Sequence, residues 1–189
     1  MKILILDGNH EEDVDLIDIS SNILSKAQDD FFEITNISLF EKTVSPCRGC
    51  FNCWIKTPGE CVMDDFGREL NRLFVNNDLI IFIGPVFHGC HSTAIKKVFD
   101  RSIPFLQPFF RKVNGEVHHK MRYAKDLDMI FIGIIEERDE TQEATFRELS
   151  SRNAVNFGVD EHRVLFHCRE DDPTELIDEA VAIIREFSR

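Results

Sequence analysis

The chain has 189 residues, long enough for one domain with a sizeable core, and its 43% apolar and 30% charged residues exclude an intrinsically disordered protein. Lys and Arg number 22 against 34 Asp and Glu, and the resulting net charge of -12 disfavours nonspecific binding to nucleic acid or to an anionic membrane. The opening MKILILDG holds too short an apolar run for a signal peptide, and no stretch is long enough to span a membrane, so the expected location is cytoplasmic and the six cysteines are expected as reduced thiols rather than disulfides.

KILIL at the start reads as a buried strand, because its apolar residues are continuous rather than alternating. It stops at Asp7-Gly8-Asn9. Val14, Ile17 and Leu24 share one face with Leu16, Ile19 and Ile23, which predicts a helix over 13–28. FFEITNISL, residues 31–39, is the second strand. A cysteine-rich loop spans 41–62. DDFGRELNRLFVNN follows as a helix, capped by Asp64 or Asp65, with Phe66, Leu70, Leu73 and Phe74 facing inward. DLIIFIG, residues 78–84, is the clearest buried strand. PVFHGCHS reads as a turn and TAIKKVFDRS as the start of a helix. Residues 103–126 read as a long irregular connection, of the kind that usually serves a function. LDMIFIGII is the fourth strand. ETQEATFRELSSRNAVNFG is a helix ended by Gly158. HRVLFHC is the fifth strand, and PTELIDEAVAIIREF is the last helix, with Pro173 at its start.

Strand and helix thus alternate five times. That pattern predicts a single α/β domain over 1–189, a doubly wound five-stranded parallel sheet in the order 2-1-3-4-5 with helices on both faces. The 17 Phe residues are expected to fill its core. Ligands of such sheets bind beyond the carboxyl ends of the strands, which gathers 8–13, 84–92 and 133–140 as the candidate site. No Gly-x-Gly-x-x-Gly follows the first strand, and neither a Gly-x-Ser-x-Gly elbow nor a phosphate-binding Gly-Lys-Ser/Thr loop is present, so a dinucleotide fingerprint, an ordinary serine nucleophile and ATP hydrolysis are not indicated.

PCRGCFNCWIKTPGEC places Cys47, Cys50, Cys53 and Cys61 in a Cys-x2-Cys-x2-Cys-x7-Cys spacing. Three readings stand. Thiolates at this spacing suit an iron–sulfur cluster. They also suit zinc or reversible disulfide chemistry. Or the thiols pack, with Phe51 and Trp54, as an aromatic lid. Cys90 and Cys168 have no cysteine neighbours and are expected as small buried apolar groups. His118, His119, Lys120, Arg122 and Tyr123 either meet an anionic cofactor or form a solvated basic turn.

PCRGCFNCWIKTPGECVMDD and IFIGPVFHGCHSTAIKKVFDR, with GEVHHKMRY, resemble the flavodoxin-like NAD(P)H-dependent FMN reductase family, including its iron–sulfur flavoprotein relatives. The resemblance covers most of the chain. It implies non-covalent FMN, NAD(P)H as reductant and an electron acceptor it does not name. It also implies a homo-oligomer, commonly a dimer. It assigns Pro85, Val86, Phe87, His88 and Gly89 to the flavin ring and Gly8, Asn9 and His10 to the phosphate end. Cys47, Cys50, Cys53 and Cys61 become the ligands of a 4Fe-4S cluster. No catalytic acid or base is nominated. One segment departs from the family pattern. DGNHEEDVD carries Glu11, Glu12, Asp13 and Asp15 where hydroxyls usually hold the phosphate, so FMN is expected to bind more weakly than in relatives with hydroxyls there. The departure leaves open a second reading, a degenerate flavodoxin-like subunit without FMN that acts through protein association.

Overall fold

The computed structural model describes residues 1–9, 18–28, 31–159 and 161–188. Five parallel strands form the main sheet: β1 (Lys2–Asp7), β2 (Glu33–Ser38), β3 (Leu79–Phe87), β7 (Asp128–Ile135) and β8 (His162–Cys168). They run in the order β2-β1-β3-β7-β8, and the short β4 (Cys90–His91) pairs antiparallel with the end of β3. The parallel order is the one the alternation predicts. Registers are continuous across the centre, where Ile81 of β3 lies opposite Ile5 and Ile130.

Both faces of the sheet are covered, which is why its central strands read as unbroken apolar runs. Ile3 and Ile5 point to α1 (Ile19–Ala27) and α6 (Thr174–Phe187). Leu4 and Leu6 point to α3 (Phe66–Asn76), α4 (Thr93–Arg101) and α5 (Glu140–Phe157). The Phe side chains concentrate on this second face, where Phe74, Phe82, Phe105 and Phe131 are fully buried and meet edge-on or stacked, and the equally buried Phe146 meets Phe166 edge-on. Each such burial stabilises the fold by roughly 1.5–3 kcal/mol.

Helix ends follow local chemistry. The Asp18 side chain accepts from the N–H of Ser21, Ser92 from Ile95, and Asp139 from Thr141 and Gln142. Gly158 closes α5 in the left-handed conformation that an L side chain resists. Of the helix expected over 13–28, Ile19–Ala27 is observed, and residues 10–17 lie outside the described residues.

Two segments differ from expectation. PVFHGCHS is not merely a turn. β3 runs on through Phe87, reverses at His88 (φ 51) and Gly89 (φ 75), and returns as Cys90–His91. Two positive φ values in a two-residue loop make a twisted hairpin turn. Residues 103–126 are not irregular either. β5 (Leu106–Val113) and β6 (Glu116–Met121) form an antiparallel hairpin around Asn114-Gly115, with a short 3-10 turn at Ile103–Phe105 before it.

Candidate functional site

The predicted site residues separate into two groups. Gly8 and Asn9 end β1, and Pro85–Gly89 end β3. The Gly8 N–H donates to the Ile83 carbonyl at 2.7 Å, so the two strand ends lie side by side. A Cβ at Gly8 would stand 2.9 Å from Ile95 Cγ1 and 3.0 Å from Ser92 Oγ, so only glycine lets β1 end this close to the start of α4. Asn9 is turned back by its own N–H, which donates to the Asp7 carboxylate at 2.9 Å. Burial pushes that carboxyl up, against the hydrogen bonds from Asn9 and Ser20. The Asn9 Oδ1 is buried with no partner among the described residues. His10, with Glu11, Glu12, Asp13 and Asp15, lies outside the described residues.

In the β3–β4 hairpin, Val86 lies opposite His91 and Phe87 opposite Cys90, which leaves His88 and Gly89 at the turn. Gly89 does not face open space. A Cβ there would sit 2.6 Å from the Thr145 Cβ, so the turn is seated on α5. Phe87 is 60% exposed and His88 is exposed beside it, an aromatic pair at the tip. These residues fit the non-phosphate parts of a flavin. Phe87 offers an exposed ring face, and Asn9 Oδ1 is an acceptor with no donor among the described residues. A phosphate has no proton to give near neutral pH, whereas a ribityl hydroxyl does.

The second group is the cysteine loop. Cys47, Cys50, Cys53 and Cys61 all line one cavity of about 490 Å3, shared with α4, α5 and the β5–β6 hairpin. None of Gly8, Asn9 or Pro85–Gly89 lines it. Among the described residues, no three His, Cys, Asp or Glu side chains stand close enough together to hold one metal ion. The donor set still fits a thiolate-bound centre in chemistry, because four thiols face one space. Cys53 is the buried member, 9% exposed, and burial followed by the neighbouring Cys61 pushes its thiol up to about 11. It is therefore protonated at neutral pH and must lose that proton to bind metal.

The loop is held by cations that local sequence reading missed. Asp65 precedes α3 yet makes no cap bond with its side chain. Its carboxylate instead takes two bonds from Arg101, at 2.8 and 2.6 Å, and one from the Ser45 N–H at 3.0 Å. Arg101 also donates to the Ser45 carbonyl at 2.8 Å. Ser45 and Asp65 flank the cysteine loop, so Arg101 closes its neck. The pair is out of water, with Arg101 0% and Asp65 9% exposed. Burial alone would raise the Asp65 carboxyl, but Arg101 and Ser45 outweigh it and hold it well below the usual carboxylate range. Gly67 makes room, since a Cβ there would lie 2.6 Å from the Arg101 Cζ. Arg68 secures the far end by donating to the carbonyls of Cys61 and Val62. The lone signal in the sequence was a glycine near the start of a helix.

The aromatic residues of the loop do pack. Trp54 in α2 (Asn52–Ile55) donates to the Leu106 carbonyl at 3.0 Å and lies against Phe51 and His119, at 5.1 and 4.9 Å between ring centres. The basic run is mostly spent on the fold. His118 meets Glu116 and Asn156, Arg122 donates to Pro104 and Leu106, and Tyr123 packs on Phe105. Cys90 and Cys168 correct the expectation of burial. Cys90 is exposed because it lies on the outward hairpin return, and Cys168 is half-buried, its thiol donating to the Glu136 carbonyl at 3.2 Å.

No family model matches the chain. It is 32% identical over 82 residues to an iron–sulfur flavoprotein of Archaeoglobus fulgidus, covering 43% of this chain and 36% of that one. It is 30% identical over 119 residues to an iron–sulfur flavoprotein of Methanocaldococcus jannaschii, covering 62% and 61%. The matched segments thus span less than two thirds of these curated relatives. In structure it is similar to an FMN-dependent NADH-azoreductase of Bacillus anthracis, with TM-score 0.64, 13% identity and coverage of 98% and 96%. A NAD(P)H:quinone oxidoreductase of Methanothermobacter marburgensis gives TM-score 0.65, 14% identity and coverage of 100% and 98%. The strand order and these likenesses together give the flavodoxin-like fold. Among the described residues, no helix is long and apolar enough to cross a membrane.

Proposed function

We propose that this flavodoxin-like chain, related in sequence to iron–sulfur flavoproteins, is an FMN-dependent oxidoreductase that draws electrons from NAD(P)H and carries four thiols for an iron–sulfur centre. The observation that carries the reading is that Cys47, Cys50, Cys53 and Cys61 line one cavity in a chain whose β1 and β3 ends lie side by side. Bound FMN would supply hydride acceptance and electron transfer, the chemistry that belongs to the cofactor rather than to side chains. The chain's own residues bind and orient. Gly8 keeps the end of β1 close against α4, Asn9 Oδ1 would accept from a ribityl hydroxyl, and Phe87 and His88 would cover the ring. Cys47, Cys50, Cys53 and Cys61 would hold the iron, and Arg101 sets a fixed positive charge beside them. Burial works against that charge, and Asp65 and then Cys61 outweigh it.

Titration of the protein against FMN and riboflavin, read by flavin fluorescence quenching, tests the flavin. Both are expected to bind, and Phe87→Ala is expected to weaken both by about tenfold, the loss of one stacking contact. Changing Glu11 and Glu12 to Ser and Asn is expected to tighten FMN and leave riboflavin little changed, because only FMN carries the phosphate. Failure of both flavins to bind at about 100 μM, a free energy of only about 5 kcal/mol, overturns the flavin assignment and favours the non-enzymatic subunit. Iron and sulfide analysis after anaerobic purification tests the thiols separately. Cys50→Ser is expected to abolish both contents with the fold intact.

A further inference from the structure

A separate cavity of about 240 Å3 lies where α3 meets the far end of the cysteine loop, and it is lined by no cysteine and by none of the residues placed at the flavin. Arg68, Asn71, Arg72 and Val75 line it from α3, and their spacing puts them on one face of that helix. Pro58–Glu60 of the loop and Tyr123 line it as well. Loop and tyrosine are in close contact, since Gly59 has φ 89 and a Cβ there would stand 3.1 Å from the Tyr123 Oη. The volume lies below the roughly 300–1,000 Å3 of drug-sized sites, which leaves room for one small ring.

Its charged groups already have partners. Arg68 meets Asp64 at 3.0 Å and Glu60 at 3.9 Å, and Arg72 meets Glu69 at 3.5 Å. The amide of Asn71 has none. Asn71 is 3% exposed, and both its amide nitrogen and its amide oxygen are buried without a partner among the described residues. Asn also disfavours a helix interior, so neither helix propensity nor a hydrogen bond to the described chain accounts for it here. A buried donor and acceptor left unmet are costly, and this side chain calls for a group that gives and takes a hydrogen bond at once. A carboxylate or a ketone only accepts and leaves Oδ1 unmet, and an ammonium only donates and leaves Nδ2 unmet. An amide whose N–H and C=O share one edge meets both. Turning the Asn71 amide over exchanges its two atoms and keeps that match.

We propose that this cavity binds a small uncharged cyclic amide, a lactam whose N–H and C=O pair with the Asn71 amide while its ring rests on Val75 and Pro58. The proposal goes beyond the oxidoreductase reading and does not rest on it, because no thiol and no flavin-site residue takes part.

The chain supplies its own reporter, since its one Tyr is Tyr123. The test uses the full chain as purified, grown with isotope-labelled tyrosine, and follows the single set of tyrosine ring signals by NMR while δ-valerolactam is added. A saturable shift is expected, with a dissociation constant below about 10 mM. Cyclohexanone has the same ring size and a carbonyl but no N–H, and it is expected to bind at least about tenfold more weakly. Asn71→Leu removes both unmet atoms. It is expected to weaken the lactam at least about tenfold while the urea midpoint stays at or above that of the parent. Asn71→Ala, which adds no bulk and favours the helix, serves if the Leu variant does not fold. A Tyr123 signal that the lactam leaves unmoved would mean that ordered water alone meets Asn71, and it would overturn the proposal. So would equal affinity for cyclohexanone, or unchanged lactam affinity in a folded Asn71 variant. Flavin binding and iron content, measured on the same samples, report on the other reading independently.

Discussion

Removing Arg101 is the sharpest perturbation of the cysteine loop. Its side chain is 0% exposed and Asp65 9%, and the two share paired bonds at 2.8 and 2.6 Å. In Arg101→Met the Asp65 carboxylate stays buried with only Ser45 to meet it, and the Ser45 carbonyl loses its donor. Breaking a buried pair from one side costs about 3–5 kcal/mol, because an uncompensated charge remains. At about 2–4 °C per kcal/mol for a chain of this size, the melting temperature is expected to fall by roughly 6–20 °C. Asp65→Leu combined with Arg101→Met removes both charges. Their desolvation cost disappears together, so the double variant is expected to recover most of the loss and end within about 2 kcal/mol of the parent. Urea melts of the parent, both single variants and the double variant measure this. Hydrogen exchange should also quicken over 46–64 while the amides of β7 keep their protection. A single variant within about 1 kcal/mol of the parent, or a double variant no better than Arg101→Met, would refute the argument that a desolvated pair closes the neck.

Three further outcomes follow from the packing. Gly67→Ala pushes a Cβ onto the Arg101 guanidinium and is expected to cost about 2–3 kcal/mol in the parent but under about 1 in the Arg101→Met background, a coupling that a double-mutant cycle reads. His91 is held neutral, so its contribution is complete above the ordinary 6.5 and is lost as pH falls toward about 4; the loss amounts to roughly 3 kcal/mol, and His91→Phe is expected to flatten the stability profile across that window by a similar amount in denaturant melts at stepped pH. Gly89→Ala is expected to cost about 2–4 kcal/mol, from positive φ plus contact with Thr145, whereas Gly115→Ala, with positive φ but open space, is expected to cost about 1; thermal melts of the two variants separate strain from crowding.

The parallel sheet was legible because burial on both faces writes itself as unbroken runs such as KILIL, LIIFIG and DMIFIGII, and no local alternative competes with them. Capping was legible at Gly158 because it uses a residue within one turn of the helix end. It misled at Asp65, whose partner stands 36 residues away and is chosen by tertiary packing. The β5–β6 hairpin was readable in principle. Asn114-Gly115 is a strong signal for a two-residue hairpin turn, with φ 50 and 87 as that turn requires. The cue was masked by Pro108 and by strands that carry charge and aromatics without a clean alternation. The β3 extension was hidden for a related reason, since Pro85 looks like a strand stop. Here it still lies opposite Ile134, at the last parallel position of the strand. The thiol spacing announced a shared site, but which surfaces complete the cavity depended on α5 and the hairpin, far away in sequence.

One short helix fixes how the two halves of the site stand to each other. α4 begins at Ser92, whose hydroxyl faces Gly8 beside the strand ends, and it finishes at Arg101, which closes the cysteine loop. Nine helical residues span about 14 Å. His91, one residue before the cap, already lines the cavity, and Phe87 sits at the tip of the hairpin that leads into it. The two ends of α4 are anchored differently. Ser92 is buried against strands whose pairing continues through the sheet, while Arg101 is anchored to a loop through one ion pair and a carbonyl. A lesion at Arg101 therefore frees the cysteine loop before it disturbs Gly8. Damage at the Ser92 end shifts the helix as a unit and reaches both sites. Arg101→Met should leave riboflavin affinity near the parent value while iron loading falls, whereas Ser92→Leu, which crowds Gly8, should reduce both.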